Sequence, residues 1–366
     1  MTPTTSHTHI AIAHKGFTLI ELMISLTIGM MIIITIGYVY VGASRTFRAL
    51  EASSRIQENA RYAIDRIGFD LRMAGYTGCS SSTVANVLND PSAWENNLFD
   101  QPLVGYEYGV STYPDGVVGN VLRGDALSLL RADNAEEYIV DSHNPNSAQF
   151  QLMDTHDLDQ GEILVVTDCS HAAVFQMTNV NNNNTIKTVN HNTGTGNPGN
   201  CTKGFGLPVN CADTNGVAYT FPQCSRLHRL SAVTYYIRTN AANEPALYRQ
   251  KLGVDAGDSA LVAEEMVEGV EDMQITYGVD TTPTADNAVD TYVTADQVTT
   301  AAPASTEEED WKRVLSIRIS LLLISKDGEV NTTKAQTYTF NGTTVTPSDR
   351  RMRKVFTSTI AVRNRL

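Results

Sequence analysis

The residue with the clearest chemical consequence is Glu21, a carboxylate beside a long apolar segment. Residues 22–44 form a run of 23 residues without a charged side chain, which is long enough to cross a bilayer as a helix. A carboxylate at membrane depth costs about 3 kcal/mol even on the lenient insertion scales. Such a residue therefore indicates a function, and a cation that paired with it would be attracted strongly because the surrounding dielectric is low.

The segment before the apolar run admits three interpretations. A secretory signal has its cleavage site after an apolar region of about 7 to 15 residues, and residues 22–44 exceed that length. An uncleaved anchor fits the length but gives no reason for Glu21. Cleavage between Gly16 and Phe17 would create an α-amine four residues before Glu21. In staggered neighbouring subunits, the amine of one chain could then meet the carboxylate of another, so this interpretation explains Glu21.

Cysteines form the second chemically distinctive group, and all of them follow the apolar segment. No two have the Cys-x-x-Cys spacing typical of zinc sites, and an exported protein would let them oxidise. Five choices of the unpaired cysteine and three pairings of the rest give 15 arrangements, so the sequence predicts at least one disulfide without its connectivity. Reduced, buried cysteines in a cytosolic domain are the alternative. The five are Cys79, Cys169, Cys201, Cys211 and Cys224.

Three further patterns suggest catalysis or ligand binding only weakly. Gly194, Gly196 and Gly199 form a literal GxGxxG, but no helical pattern follows them, and a dinucleotide site needs a strand before the motif and a helix after it. His171 lies two residues after Cys169, which does not by itself place a base on a thiol. The sequence therefore predicts no enzyme activity and no cofactor.

A calcium site is the remaining ligand interpretation. Asp154, Asp157 and Asp159 could supply oxygen ligands, but they lack the spacing of an EF-hand loop. A solvated acidic turn is the preferred interpretation of this segment. The sequence therefore predicts no metal site.

The helix that would position Glu21 extends well beyond the apolar run. Residues 45–72 carry charged side chains on one face, and apolar residues recur mainly at three- and four-residue steps on the other. We expect one helix over residues 17–72, with residues 17–44 in the membrane and residues 45–72 amphipathic. The apolar positions are Phe47, Leu50, Ile56, Ala60, Ile64, Ile67 and Leu71.

Residues 73–366 change to the two-residue period of strands and form the predicted globular head. Turn signals separate the segments, and Asn341-Gly342 is a favoured hairpin turn. No regular alternation of strand and long helix occurs, so the prediction is an α+β fold with the long helix packed on a large antiparallel sheet. Residues 179–206 and 280–310 are predicted surface loops. The predicted strands are residues 162–167, 233–238, 270–277, 314–325, 336–340 and 355–363.

The formal net charge of -13 is unevenly distributed. Residues 45–72 carry six arginines against four acids, and the last 17 residues carry six basic residues and no acid, whereas residues 73–349 carry 35 acids against 14 bases, or -21. A head this acidic argues against a nucleic-acid partner, because phosphates reward clustered Lys and Arg. The basic stem and the basic final strand bracket the acidic head.

Residues 15–23, Lys-Gly-Phe-Thr-Leu-Ile-Glu-Leu-Met, resemble the class III signal of type IV pilins and pseudopilins. This resemblance implies that a prepilin peptidase removes residues 1–16 as a leader by cutting after Gly16. It also implies N-methylation of Phe17. Glu21 would be the acidic residue that guides subunits into the filament.

Several segments of the head resemble the PilW family of type IV pilus minor pilins. They are residues 73–79, 166–169, 267–271, 277–280 and 353–365. The resemblance implies a pilin-like fold, a disulfide at Cys169, and a minor pilin that helps to initiate pilus assembly. It implies a place near the pilus tip, and a supporting role in adhesion and twitching motility. The implied partners are other minor pilins and the major pilin through the helix, a tip adhesin, the prepilin peptidase and the inner membrane.

Two alternatives remain at the level of the sequence. A minor pseudopilin of a type II secretion system would share the signal and the helix, and a membrane-tethered periplasmic hydrolase would share only the anchor. In the preferred interpretation the chain crosses the inner membrane once before assembly and lies in the extracellular pilus afterwards.

Overall fold

The computed structural model describes residues 16, 18–79, 83–114, 116–117, 121, 123–179, 187–194, 196–301, 306–326, 328 and 335–364. The predicted leader, except Gly16, and the predicted methylation site Phe17 lie outside the described residues. The helices are α1 (Leu19–Met73), α2 (Val298–Ala301) and α3 (Glu307–Lys312), with 3-10 turns at Trp94–Asn96 and Ala295–Gln297.

The strands occupy most of the head, which confirms the α+β prediction. In chain order they are β1 (Thr83–Asn86), β2 (Leu103–Tyr106), β3 (Ala126–Ala132), β4 (Tyr138–Asn144), β5 (Gln149–Leu152), β6 (Ile163–Thr167), β7 (His171–Gln176), β8 (Thr188–Asn190), β9 (Arg226–Thr239), β10 (Pro245–Asp255), β11 (Asp258–Glu268), β12 (Val270–Val279), β13 (Thr291–Val293), β14 (Val314–Ile324), β15 (Tyr338–Phe340), β16 (Thr343–Val345) and β17 (Arg353–Ala361).

Helix α1 is a single element of 55 residues, about 80 Å long at 1.5 Å per residue. It begins after Thr18, which caps the first turn, and ends at Met73, where Ala74 leaves the helix and Gly75 has a φ of +76°. The predicted bounds of 17 and 72 are therefore confirmed to within two residues.

Strand β9 joins the two halves of the large sheet. Eleven strands belong to this sheet, and all pairs among them are antiparallel except β1 with β7. The first residues of β9 pair with β4 and β6, and its later residues pair with β3 and β10. A strand of 14 residues thus spans two separate packing environments.

A second sheet of four strands has the order β13-β12-β14-β17 and packs against α1. In β17, Ile360 is buried and Phe356 packs on the core, whereas Thr357 and Thr359 face solvent. This alternation gives β17 one face on the core and one face in solvent, within the predicted strand at residues 355–363. β15 and β16 form the predicted hairpin, and both turn residues, Asn341 and Gly342, have positive φ, as a type I′ turn requires.

We divide the head into two lobes by their cores. The helix lobe comprises α1 from Ala52 onward, β2, β3, β10 to β17 and the later residues of β9. Its core is mainly aliphatic, and it includes Tyr277 and Trp311. The distal lobe comprises β1, β4 to β8, the first residues of β9 and the segment of residues 191–225. Its core is centred on aromatic rings.

Contacts along α1 give the head a lower and an upper end. Near the start of the buried half, the Lys354 ammonium donates a hydrogen bond to Ser53 Oγ at 2.6 Å. Near the end of α1, the Asn364 amide donates to the carbonyl of Arg72 at 3.0 Å. β17 therefore runs along α1, with its first residues toward the apolar half of the helix. The distal lobe lies beyond the other end, where α1 leads into Cys79.

The two predicted surface loops contain more structure than expected. Within residues 179–206, β8 pairs with β5, and Phe205 is fully buried in the distal core. Within residues 280–310, β13 pairs with β12, and α2 and the start of α3 follow. Aromatic residues are sparse in these two polar segments. The composition of the segments therefore did not indicate the few side chains that anchor them to the core.

Candidate assembly site

Glu21 lies in the first turn of α1, where it forms a capping box with Thr18. The Thr18 backbone N–H and hydroxyl donate to Glu21 Oε2 at 2.9 and 2.8 Å, and the Glu21 N–H donates to the Thr18 hydroxyl at 3.3 Å. This arrangement satisfies donors that an isolated helix end would leave unpaired. A carboxylate near the helix N-terminus also interacts favourably with the helix dipole.

The Glu21 carboxylate keeps capacity for a further partner. Within the described part of the chain, both hydrogen bonds that the carboxylate accepts reach Oε2, and Oε1 accepts none. The side chain is exposed, and Gly16 has open space around it. The structure brings Gly16 and Glu21 to one end of the chain, whereas the predicted cleavage and methylation at Phe17 stay predictions.

The apolar half of α1 has no contact that would bury it. No residue of its most apolar stretch is buried, and α1 is the one helix in the described residues that is long and apolar enough to span a membrane. Its hydroxyl groups bond within the helix: Ser25 donates to the Glu21 carbonyl, Thr27 to Ile24 and Thr35 to Met31. These bonds reduce the cost of polar groups in hydrocarbon.

The head covers only part of the predicted amphipathic face. Ile56, Ile67 and Leu71 are buried as expected, but Phe47 and Leu50 are 68% and 65% exposed. The first buried helical residue is Ala52, so the head begins above these two side chains. In the single chain, an apolar surface therefore continues upward from the apolar half and ends at the head.

A buried charge cluster fixes the upper part of α1 to the helix lobe. The Asp70 side chain is 1% exposed and accepts a hydrogen bond from the Tyr235 hydroxyl at 2.6 Å. The guanidinium groups of Arg66, Arg131 and Arg249 lie 3.6 to 4.0 Å from its oxygens. Burial, together with the charge of Asp70, raises the pKa of Tyr235 well above its ordinary value, so the phenol stays a hydrogen-bond donor.

Two disulfides stabilise the distal lobe, as the sequence predicted in part. Cys79 pairs with Cys169, and Cys201 pairs with Cys211, while Cys224 is an exposed free thiol. The first bond links the segment after α1 to the β6–β7 turn. It confirms the disulfide that the family resemblance implied for Cys169 and removes that residue as a nucleophile.

The residues of the other weak motifs make structural contacts in the distal lobe. His171 bonds to Thr83 and to the Phe205 carbonyl, so it has a structural role in the distal lobe. No helix follows the three glycines of the GxGxxG, and Asp157 is bound to Tyr138 and Arg229. Among the described residues, no group of three His, Cys, Asp or Glu side chains could hold a metal ion.

A histidine pair in the distal core was not predicted from the sequence. His143 Nε2 and His191 Nε2 are 3.2 Å apart, His143 stacks on Phe150 with ring centroids 4.1 Å apart, and its Nδ1 accepts the Phe221 N–H. Burial lowers the pKa of His143 to about 4 and that of His191 well below its ordinary value. Both rings are therefore neutral at pH 7.

Sequence reasoning also missed the role of Thr18, although a signal was present. Thr18 and Glu21 have the Ser/Thr-x-x-Glu spacing of a capping box directly before an apolar run. The histidine pair had no comparable signal, because His143 and His191 are 48 residues apart and meet only after β4, β5 and β8 have paired.

Comparisons with protein families match two segments of the chain. Residues 234–364 match the family described as Type IV Pilus-assembly protein W, and residues 13–37 match the prokaryotic N-terminal methylation motif. The first match begins within β9 and includes β10 to β17. The second includes Gly16, Thr18 and Glu21. No curated protein and no solved structure matches the chain.

Proposed function

We propose, from the support that both matched segments give to a PilW-type minor pilin, that this chain helps to initiate assembly of a type IV pilus. In this proposal it lies near the pilus tip in a complex of minor pilins and supports adhesion and twitching motility. Its partners are other minor pilins and the major pilin, a tip adhesin and the prepilin peptidase. The motif and the apolar helix suggest that the chain is anchored in the membrane before assembly.

The observation that carries the proposal is the uncovered lower half of α1 with Glu21 at its start. The apolar half alone would only anchor the chain, whereas a filament subunit also needs contacts along the helix above the membrane. Phe47 and Leu50 supply such contacts, since they remain exposed above residue 44. Glu21 Oε1 is available to accept the Phe17 amine of a neighbouring subunit.

Processing is tested by the intact mass of the protein extracted from membranes. The proposal expects the loss of residues 1–16 and the gain of one methyl group on the new N-terminus at Phe17. A Gly16→Leu variant should keep the leader in the same cells. Retention of the leader in the unaltered protein would contradict processing at this site.

Three variants separate the charge of Glu21 from its capping role. Glu21→Gln can still bond to Thr18 but has no charge, Thr18→Ala weakens the cap but keeps the charge, and Glu21→Ala removes both. We expect insertion and processing in all three, with at least a tenfold loss of incorporation into pili for both Glu21 variants and less than a twofold loss for Thr18→Ala. Copurification with other pilins measures incorporation. Normal incorporation of Glu21→Gln would contradict an intersubunit ion pair.

The choice of machine is tested by deleting the gene. Loss of surface pili and twitching with normal secretion of exoproteins is expected, and complementation by the unaltered gene should restore both. The opposite pattern would favour a minor pseudopilin of a type II secretion system. The pilus is the better-supported machine because the matched family is described as a pilus-assembly protein.

A further inference from the structure

The lower end of the head, with the adjacent stretch of α1, carries an excess of positive charge. We call this surface the underside. Among the described residues it contains seven cations against four acids, while Asp327, Glu329 and Lys334, which follow Lys326 in the sequence, lie outside the described residues. The cations are Arg45, Arg48, Arg55, Lys326, Arg350, Arg351 and Lys354, and the acids are Glu51, Glu244, Glu268 and Asp349.

Contacts place these head residues at the level where α1 enters the head. Lys354 bonds to Ser53, and Lys326 and Arg351 line a cavity that Ala52 and Ile56 also line. Several cations have acidic partners: Arg351 pairs with Glu244, and Lys326 pairs with Glu268. The excess comes from Lys354, which donates a hydrogen bond to the uncharged Ser53, and from the exposed Arg45 and Arg48.

The underside lies close to the end of the apolar segment. Ala52 is eight residues beyond Ser44, which is about 12 Å along a helix axis. Arg45 and Arg48 lie within the first turn above Ser44. The Debye length is about 10 Å at 0.1 M salt, so charges at this level interact with a membrane surface at the end of the span.

The rest of the head has the opposite sign. Residues 73–349 without the underside residues Lys326, Glu244, Glu268 and Asp349 carry 32 acids against 13 bases, a net charge of -19, and an anionic surface would repel them. An anionic membrane therefore attracts the underside and repels the remainder, which favours one orientation of the head. Polybasic segments beside a membrane span attract anionic lipids by this mechanism.

We propose that, in the membrane-anchored subunit, the underside docks on anionic lipid headgroups and holds the head against the membrane before assembly. Lipid is the favoured occupant because the span itself keeps a headgroup layer within about 12 Å of these cations, whatever protein neighbours are present. The inference rests on the anchored state of the proposed function. It concerns the subunit before it enters a filament.

The test uses the full chain in lipid nanodiscs that contain phosphatidylcholine alone or with one-third phosphatidylglycerol. A fluorophore is attached to a cysteine introduced by Ser348→Cys, an exposed position next to Asp349 and Arg350 of the underside. The free thiol of Cys224 is removed by Cys224→Ser so that only the new cysteine is labelled. A headgroup nitroxide quenches the fluorophore. We expect at least twofold stronger quenching with phosphatidylglycerol and loss of the difference in 0.5 M salt.

A matched pair of triple variants isolates the underside. Arg45→Gln, Arg48→Gln and Lys354→Gln together should remove most of the lipid dependence. The control variant, Arg61→Gln with Arg226→Gln and Arg363→Gln, removes the same amount of charge from exposed positions outside the underside. This control should keep the lipid dependence of the quenching. Circular dichroism and the mass of each reconstituted disc confirm folding and insertion.

Three outcomes would overturn the inference. Equal quenching in both lipids would show that the headgroup charge does not matter, and an equal effect of the control variants would show that only net charge matters. Unchanged lipid dependence in the underside variant, with lost copurification of other pilins, would assign the surface to an acidic protein neighbour. Failure of the chain to enter discs would instead contradict the anchored state itself.

Discussion

The two lobes of the head solve the same packing problem with different chemistry. In the helix lobe, small and aliphatic side chains of α1 such as Ala60, Ala63 and Ile67 pack directly on the sheets. In the distal lobe, four phenylalanines and two histidines form the centre, and two disulfides join its loops. The longer family match, residues 234–364, includes β10 to β17 of the helix lobe, whereas α1, β2, β3 and the whole distal lobe precede it.

This difference shows which part of the fold is tied to the helix. A 55-residue helix supplies one side of the helix-lobe core, so the strands opposite it must keep a continuous apolar face. The distal lobe has no long helix among the described residues, and its strands β6 and β7 are buried along their whole length. Two disulfides join its loops and restrict the unfolded chain. The distal lobe therefore combines a buried aromatic core with covalent links, whereas the helix lobe is held by packing on α1.

The largest expected effect comes from removing the charge at the centre of the helix lobe. Asp70→Ala removes the buried carboxylate that faces Arg131 and Arg249 and leaves the Tyr235 hydroxyl without its acceptor. Asp133 and Glu264 remain as partners of the two arginines, and breaking such a buried cluster costs about 3 to 5 kcal/mol of the free energy of unfolding. The matched change in the distal lobe is Asp157→Ala. The Asp157 side chain, a partner of Arg229, is 68% exposed, so its loss should lower the free energy of unfolding by about 1 kcal/mol or less.

Urea unfolding of the purified protein measures both variants. Trp311 fluorescence, in a Trp94→Phe background, reports on the helix lobe because Trp311 is buried in that core. Equal costs for Asp70→Ala and Asp157→Ala would show that the Asp70 cluster adds no more stability than a surface ion pair.

The next effect concerns the disulfides and tests the distal lobe. Replacing Cys79 and Cys169 by serine opens a loop with a sequence separation of 90, whereas replacing Cys201 and Cys211 opens one of 10. Since the entropy of loop closure grows with loop length, we expect a cost of about 4 kcal/mol for the first pair and about 2 to 3 kcal/mol for the second.

Hydrogen exchange of β6 and β7 measures the loss of stability in the distal lobe, and exchange of β14 serves as the internal control. Faster exchange confined to the distal strands would support the division into lobes. Equal acceleration in β14 would mean that the two lobes unfold as one unit.

The smallest effect concerns pH, and it acts in opposite directions in the two lobes. Because the folded distal lobe lowers the pKa of His143 to about 4, the folded state binds fewer protons than the unfolded state. Its stability should fall as the pH drops from about 6.5 to about 4. In the helix lobe, burial raises the pKa of Asp125 to about 7, so that contribution should fall as the pH rises from about 4 to 7.

Lobe-resolved hydrogen exchange at pH 5 and pH 7, corrected for intrinsic rates, checks these directions. His143→Phe keeps the stacking ring but cannot be protonated, so it should reduce the acid sensitivity of β4 and β5 by about 1 kcal/mol or more. It should leave the pH dependence of β12 unchanged. Undiminished acid sensitivity in this variant would assign that sensitivity to other groups.

The sequence predicted the elements whose pattern is local. The apolar run, the heptad-like spacing and the Asn341-Gly342 turn each depend on neighbouring residues, and α1 and the β15–β16 hairpin lie where these patterns indicated. The strands for which no range was predicted are β1 to β5, β7, β8, β10, β11, β13 and β16. β3 is buried on both faces and shows no alternation, while β10 buries Gln250 and partly buries Arg249, so polar residues interrupt its apolar pattern.

The part of the candidate site that is local in sequence was also predictable. Gly16 and Glu21 belong to one contiguous motif, and the capping role of Thr18 follows from a spacing of three residues. The Asp70 cluster and the underside could not be predicted, because both bring together residues from α1 and from strands more than 60 positions away. Their assembly depends on how the sheets pack on the helix.

The bond between Cys79 and Cys169 also determines how the molecule would respond to tension. A pull that is applied to the distal lobe after Cys169, for example at β7 or β8, and resisted by α1 passes through this bond, which lies a few residues beyond the end of the helix. The chain between the two cysteines lies outside that covalent path. Unfolding it would release none of the roughly 300 Å of contour length that 90 residues contain when extended. Under load, the subunit would therefore lengthen far less than its chain length suggests.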